Sequence, residues 1–110
     1  MVEIKNNSIS MTRGDTLIVT VQMKKNGETY TPDPEDVIRF AMSRNYKGEK
    51  KYELLINKPI PSDTLILRLE PEDTEDIPYG TYNYDVELTD KYGIVDTFIS
   101  SKITLTGEAE

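Results

Sequence analysis

The sequence predicts an all-β domain, an antiparallel sandwich of seven to eight short strands. Three observations carry this. Period-two alternation of apolar and polar residues recurs along most of the chain. Turn residues interrupt it about every ten positions, the spacing of small sandwiches. No stretch carries the 3.6-residue apolar period over the length that a helix of consequence needs.

The elements follow in order. Ser8-Ile9-Ser10-Met11 reads as a short first strand, and Arg13-Gly14-Asp15 turns the chain. Thr16 to Lys24 alternates well, with Leu17, Val19, Val21 and Met23 on one face and Thr16, Ile18, Thr20 and Gln22 on the other. Asn26-Gly27 is the strongest hairpin signal, since both residues tolerate positive φ. Glu28 to Thr31 is the return strand, stopped by Pro32-Asp33-Pro34, whose prolines cannot donate to a ladder. Val37 to Arg44 follows, with Ile38, Phe40 and Met42 inward. A loop over Asn45 to Lys50 leads to a strand from Lys51 to Asn57, closed by Lys58-Pro59-Ile60-Pro61.

Thr64 to Glu70 alternates through Leu65, Leu67 and Leu69. Pro71 to Asp76 is the one helical candidate, with proline at the first helical position and acids that suit the helix dipole. It is long enough for only a turn or two. Pro78-Tyr79-Gly80 is a turn. Thr81 to Thr89 is the best strand of all, with Tyr82, Tyr84, Val86 and Leu88 on one face. Asp90 to Gly93 forms a hairpin turn before a long last strand, Ile94 to Leu105, with a bulge or bend expected near Ser100-Ser101. Gly107 to Glu110 reads as a frayed tail. This layout fits a single domain, residues 1–110, with an ordered core over about 8–105, of the immunoglobulin-like type. A small closed barrel is the alternative.

Composition sets the outer limits. A chain of 110 residues opening on Met1 reads as a complete small gene product with one core. Its 30% charged residues and net charge of −7 imply a well-solvated exterior. They argue against nucleic acid, which needs clustered Lys and Arg; here Lys24-Lys25 and Lys47, Lys50 and Lys51 are scattered among acids. There is no Cys, which excludes disulfide stapling and favours folding in a reducing cytoplasm. The first residues lack the apolar core of a signal peptide, and no run approaches the ~20 apolar residues that span a bilayer.

Chemistry is sparse. Without His or Cys, the Ser-His-Asp and Cys-His arrangements and Cys/His zinc sites are impossible. The glycines are isolated turn residues, not a phosphate loop. No catalytic, cofactor or metal residue is expected, and the chain reads as a non-enzyme. The acids Glu70, Glu72, Asp73, Glu75 and Asp76 lack the alternation and central glycine of a calcium loop, and read as a solvated helical start. Asp33, Glu35 and Asp36 read as a charged, proline-rich loop. Arg13-Gly14-Asp15 matches an adhesion tripeptide, but a turn explains it as well.

Tyr82 and Tyr84 read as core, and Tyr84 as a candidate for a tyrosine-corner bond to nearby backbone. Tyr30, Tyr46, Tyr79 and Tyr92 lie in or beside loops, where they pack sheet ends or contact proteins or sugars. Ile18 and Ile66 point away from their apolar stripes, and Ile94, Phe98 and Ile103 leave the last strand ambiguous. These residues cover either a docking patch or the sandwich edge. No individual binding residue stands out.

Three segments together carry a resemblance. They are Met11-Thr12-Arg13-Gly14-Asp15-Thr16 entering a strand, the Pro71-Glu72-Asp73-Thr74 turn, and Ile77-Pro78-Tyr79-Gly80-Thr81-Tyr82-Asn83-Tyr84-Asp85-Val86-Glu87-Leu88 before the Tyr92-Gly93 hairpin. From about Ile9 to Leu105 the chain resembles the small immunoglobulin-like domains of bacteriophage and prophage structural proteins, such as the N-terminal domain of the baseplate upper protein family. The resemblance implies a structural or assembly role in a tail, baseplate or virion accessory. Its partners would be other particle proteins or further copies of the chain, not nucleic acid or membrane. It implies folding in the bacterial host cytoplasm and residence in the virion after assembly. A carbohydrate-binding or host-adhesion module is the alternative.

Overall fold

A computed structural model describes residues 2–45 and 52–107. Among these it contains β1 (Val2–Lys5), β2 (Ser8–Thr12), β3 (Leu17–Thr20), β4 (Lys24–Lys25), β5 (Glu28–Thr29), β6 (Val37–Asn45), β7 (Tyr52–Ile60), β8 (Ile66–Leu69), α1 (Pro71–Thr74), β9 (Gly80–Thr89) and β10 (Val95–Thr106). The architecture is an all-β sandwich. One layer is a six-stranded sheet ordered β1-β2-β10-β9-β6-β7; the other is the pair β3-β8; β4-β5 is a separate hairpin. Every pairing is antiparallel except β2 with β10, which run parallel with Ile9 opposite Ile103 and Met11 opposite Leu105.

The alternation explains the layers. Leu17, Val21, Leu67 and Leu69 face inward from the small sheet. They meet Phe40, Met42, Tyr84, Val86 and Ile103 from the large one in a single buried cluster. Burial of each large apolar side chain is worth about 1.5–3 kcal/mol, so the two inner stripes hold the layers together. Phe40 and Tyr84 lie with ring centroids 5.3 Å apart at the centre.

Several expectations are corrected. Ser8 to Met11 is a strand, within β2, but not the first: β1 precedes it and folds back on it through Asn6 and Asn7, both at positive φ (50° and 69°). Thr16 to Lys24 is not one strand. Its ladder with β8 ends at Thr20, and the Met23 carbonyl instead accepts from the Tyr30 N–H at 2.8 Å, which begins the β4-β5 hairpin. The strand expected to stop at Asn57 runs on through Pro59 to Ile60. Its proline is tolerated because β7 is an edge strand, with one side free of ladder bonds. Leu65 is no strand residue: its φ of 57° puts it in a left-handed turn before β8.

The bulge in β10 lies between Thr97 and Ile99, so Phe98 is the extra residue, and Ser100-Ser101 stay in register with Asp85 and Tyr84. Ile103 is core at 0% exposure, and Phe98 is half-buried. The loop centred on Gly48, together with Tyr46, lies outside the described residues. Among the described residues no helix is long and apolar enough to cross a membrane.

Candidate interaction surface

The tripeptide Arg13-Gly14-Asp15 is tied into the fold. Gly14 adopts φ 85°, and its N–H donates to the hydroxyl of fully buried Thr74 at 2.9 Å. The Arg13 guanidinium donates to the Ile77 carbonyl at 3.3 Å and the Tyr79 hydroxyl at 3.2 Å, and lies 4.1 Å from the Tyr79 ring centroid. The turn therefore clamps the entry of β3 onto α1.

Three of the acids, Glu70, Asp73 and Asp36, are similarly engaged. The Asp73 carboxylate accepts from the Glu70 N–H at 2.7 Å and pairs with Lys58 at 2.9 Å, while Glu70 pairs with Arg68. The buried Asp36 carboxylate accepts from the Asp33 N–H at 2.9 Å and the Tyr30 hydroxyl at 3.4 Å. Among the described residues no three acids converge as a cation site would require.

The tyrosines divide. Tyr82 and Tyr84 are buried, as their alternation implies. The corner-type bond belongs to Tyr82, not Tyr84: its hydroxyl donates to the Pro78 carbonyl, four residues upstream, at 2.6 Å. The Tyr84 hydroxyl reaches the Asn7 carbonyl in the β1-β2 turn. Burial pushes the Tyr84 phenol up from its ordinary value. Burial also raises Tyr30, with the Asp36 carboxylate as the second cause. Tyr79 and Tyr92 are exposed but stand beyond opposite ends of the ten-residue β9, about 30 Å apart, and form no shared sugar platform.

Two recesses flank the small sheet. A cleft of about 210 Å³ opens between β3 and the β1-β2 hairpin, lined by Ile4, Ile9, Val19, Val21, Leu67 and Ile99 among others. A shallower hollow lies between β7 and β8, walled by Pro59, Pro61 and Ile66. Ile18 and Ile66 point outward from this sheet as the sequence implies, at 58% and 39% exposure.

The outer face of β10-β9-β6-β7 offers a further surface. The strand registers lay it out in rows. The first runs Val95–Thr89–Val37. The second runs Thr97–Glu87–Arg39–Pro59, and the third Ser100–Asp85–Ala41–Asn57. The fourth runs Lys102–Asn83–Ser43–Leu54. Val37, Val95 and Leu54 are each about half-exposed. The charged side chains in these rows are two cations, Arg39 and Lys102, and two anions, Asp85 and Glu87. The face is therefore neutral. The chain has 13 basic and 20 acidic residues, so the rest carries 11 against 18, and the whole −7 lies elsewhere. Arg39 is fixed in place by an Nε–H bond to Asn57 Oδ1 at 2.7 Å.

Sequence reasoning missed this face. The available signal was Val37, which is out of phase with Ile38, Phe40 and Met42. The neutrality could not be read without strand order, because Arg39, Glu87 and Lys102 are far apart in the chain. No family model, curated protein or solved structure matches this chain.

Proposed function

We propose that this chain is a non-catalytic structural or assembly module of a phage-type particle, acting through protein–protein contacts. The observation that carries the reading is the neutral, partly apolar outer face of β10-β9-β6-β7 on an otherwise acidic molecule. Depletion of unbalanced charge and exposed aliphatic residues on a sheet face favour a protein partner over a charged ligand. The resemblance of the Met11–Thr16 and Ile77–Leu88 segments to phage immunoglobulin-like domains supplies the context of a tail, baseplate or virion accessory. In that context the protein folds in the bacterial cytoplasm and ends in the particle.

The test is mass spectrometry of phage-like particles induced from the source bacterium and purified on a density gradient. Recovery at many copies per particle is the expected result. Expression without recovery in particles would overturn the virion assignment.

A further inference from the structure

Resting on that reading of the face as a contact surface, we infer that its occupant is a second copy of the same chain, docked face to face about a two-fold axis. The axis runs parallel to the strands, between β6 and β9. Such an axis lays β9 of one copy over β6 of the other, and β10 over β7, while keeping each row in place. In the second row Arg39 of one copy then meets Glu87 of the other, and the contact occurs twice. In the first row Val37 meets Thr89, also twice. In the third, Asp85 meets Ala41, a small residue that leaves its carboxylate room for water. In the fourth row Lys102 lies over Leu54, so the charge complementarity that a two-fold interface repeats is carried by the Arg39–Glu87 row.

Charge directs this occupant to this face. Two copies at −7 repel overall, and a neutral face is where they approach at least cost. The extent is adequate. Four strands at about 4.8 Å spacing, and about nine residues at 3.4 Å, give a footprint of roughly 600 Å² before side-chain relief. Stable interfaces bury about 600–1,000 Å² per partner, so this footprint sits at the lower end of that range. Aligned packing of two twisted sheets is a common sandwich geometry.

The experiment is sedimentation velocity on the full chain, on R39E, on E87R, and on the two variants mixed one to one. Wild type is expected to sediment as a dimer at raised concentration. R39E sets carboxylate against carboxylate at both contacts, and E87R sets guanidinium against guanidinium. Each variant is expected to dimerise about tenfold or more weakly. Mixing restores opposite charges at both contacts and returns the dimer. Arg39 and Glu87 are also neighbours within one chain, so each variant carries a like pair in its own fold. Mixing cannot mend that, so rescue isolates the contact between copies. V37E, at a half-exposed position that leaves the core intact, is expected to weaken the dimer while melting like wild type at dilutions where both are monomeric.

A wild type that stays monomeric at its highest soluble concentration overturns the inference. So do folded variants that dimerise as well as wild type, or that fail to rescue one another. If the chain is recovered from particles yet is monomeric alone, the contact-surface reading stands and the second copy is the wrong occupant.

Discussion

Thr74 shows how a single buried hydroxyl can hold two distant segments. It has no exposed surface, and its oxygen accepts from the Gly14 N–H at 2.9 Å across 60 residues of sequence. Thr74→Val keeps the shape and removes the acceptor, leaving a part-buried N–H unpaired. The expected loss is about 1–3 kcal/mol in urea unfolding, since an orphaned donor costs its full desolvation. The turn at Arg13-Gly14-Asp15 was legible from the sequence because glycine there permits positive φ. Its partner was not, because no local pattern points from Gly14 to Thr74. Tyr84 was legible as core, but its hydroxyl partner at Asn7 depends on the unforeseen β1-β2 turn. Tyr84 and Tyr30 both hold their phenolic protons more tightly when folded. The stability this represents is fully present below the ordinary phenol range near pH 10 and is lost as pH rises through and above it. An ultraviolet titration is expected to show late-ionising tyrosines whose titration coincides with loss of the β-sheet circular dichroism. Tyr84→Phe should flatten the alkaline limb of stability, at some loss near neutral pH from the missing bond.

At the scale of elements, what the sequence concealed follows from pairing. Alternation alone identifies which side chains face inward, so Leu17, Phe40, Tyr84 and Leu67 were found. It does not say where a ladder ends, so the alternation runs past the end of β3 and stops short of the end of β7. The β10 bulge at Phe98 shifts the phase of the strand, which is why Ile94, Phe98 and Ile103 could not be sorted beforehand. In the small sheet, antiparallel parity decides which amides are bonded. The Val21 N–H donates to the Leu65 carbonyl at 2.8 Å, so pairs two residues along, Val19 with Leu67 and Leu17 with Leu69, also exchange bonds. The N–H groups of Ile18, Thr20, Ile66 and Arg68 then point to the two open edges. Hydrogen exchange is expected to alternate, with slow amides at Val19, Leu67 and Leu69 and fast ones at Ile18, Thr20 and Arg68. Uniform protection along β3 and β8 would mean that another chain covers those edges.

At the scale of the whole molecule, the small sheet has no independent existence. A two-stranded pair is marginal in water, and β3-β8 is four residues long on each side. Its stability comes from Leu17, Leu67 and Leu69 seated in the same cluster as Phe40, Val86 and Ile103. That one cluster spans both layers, so the layers should unfold together. The outer face on the opposite side of the large sheet takes no part in this core. Alternation marks only the inner stripe, so Val37 reads as an apolar residue out of phase, and Arg39 and Glu87 read as solvated charges. Cooperativity makes a sharp expectation. Leu67→Ala in the small sheet and Ile103→Ala in the large one each remove a nearly fully buried aliphatic group. Each should lower stability by about 2–5 kcal/mol, and each should shift a single urea transition. Circular dichroism, which sees mainly the large sheet, and hydrogen exchange at the Val19 and Leu67 amides, together with tyrosine fluorescence, to which Tyr84 at the contact between layers contributes as one of seven tyrosines, should report coincident midpoints in both variants. If Leu67→Ala instead splits the transition, with fluorescence changing before dichroism, β3-β8 detaches on its own, and the sandwich is two units rather than one.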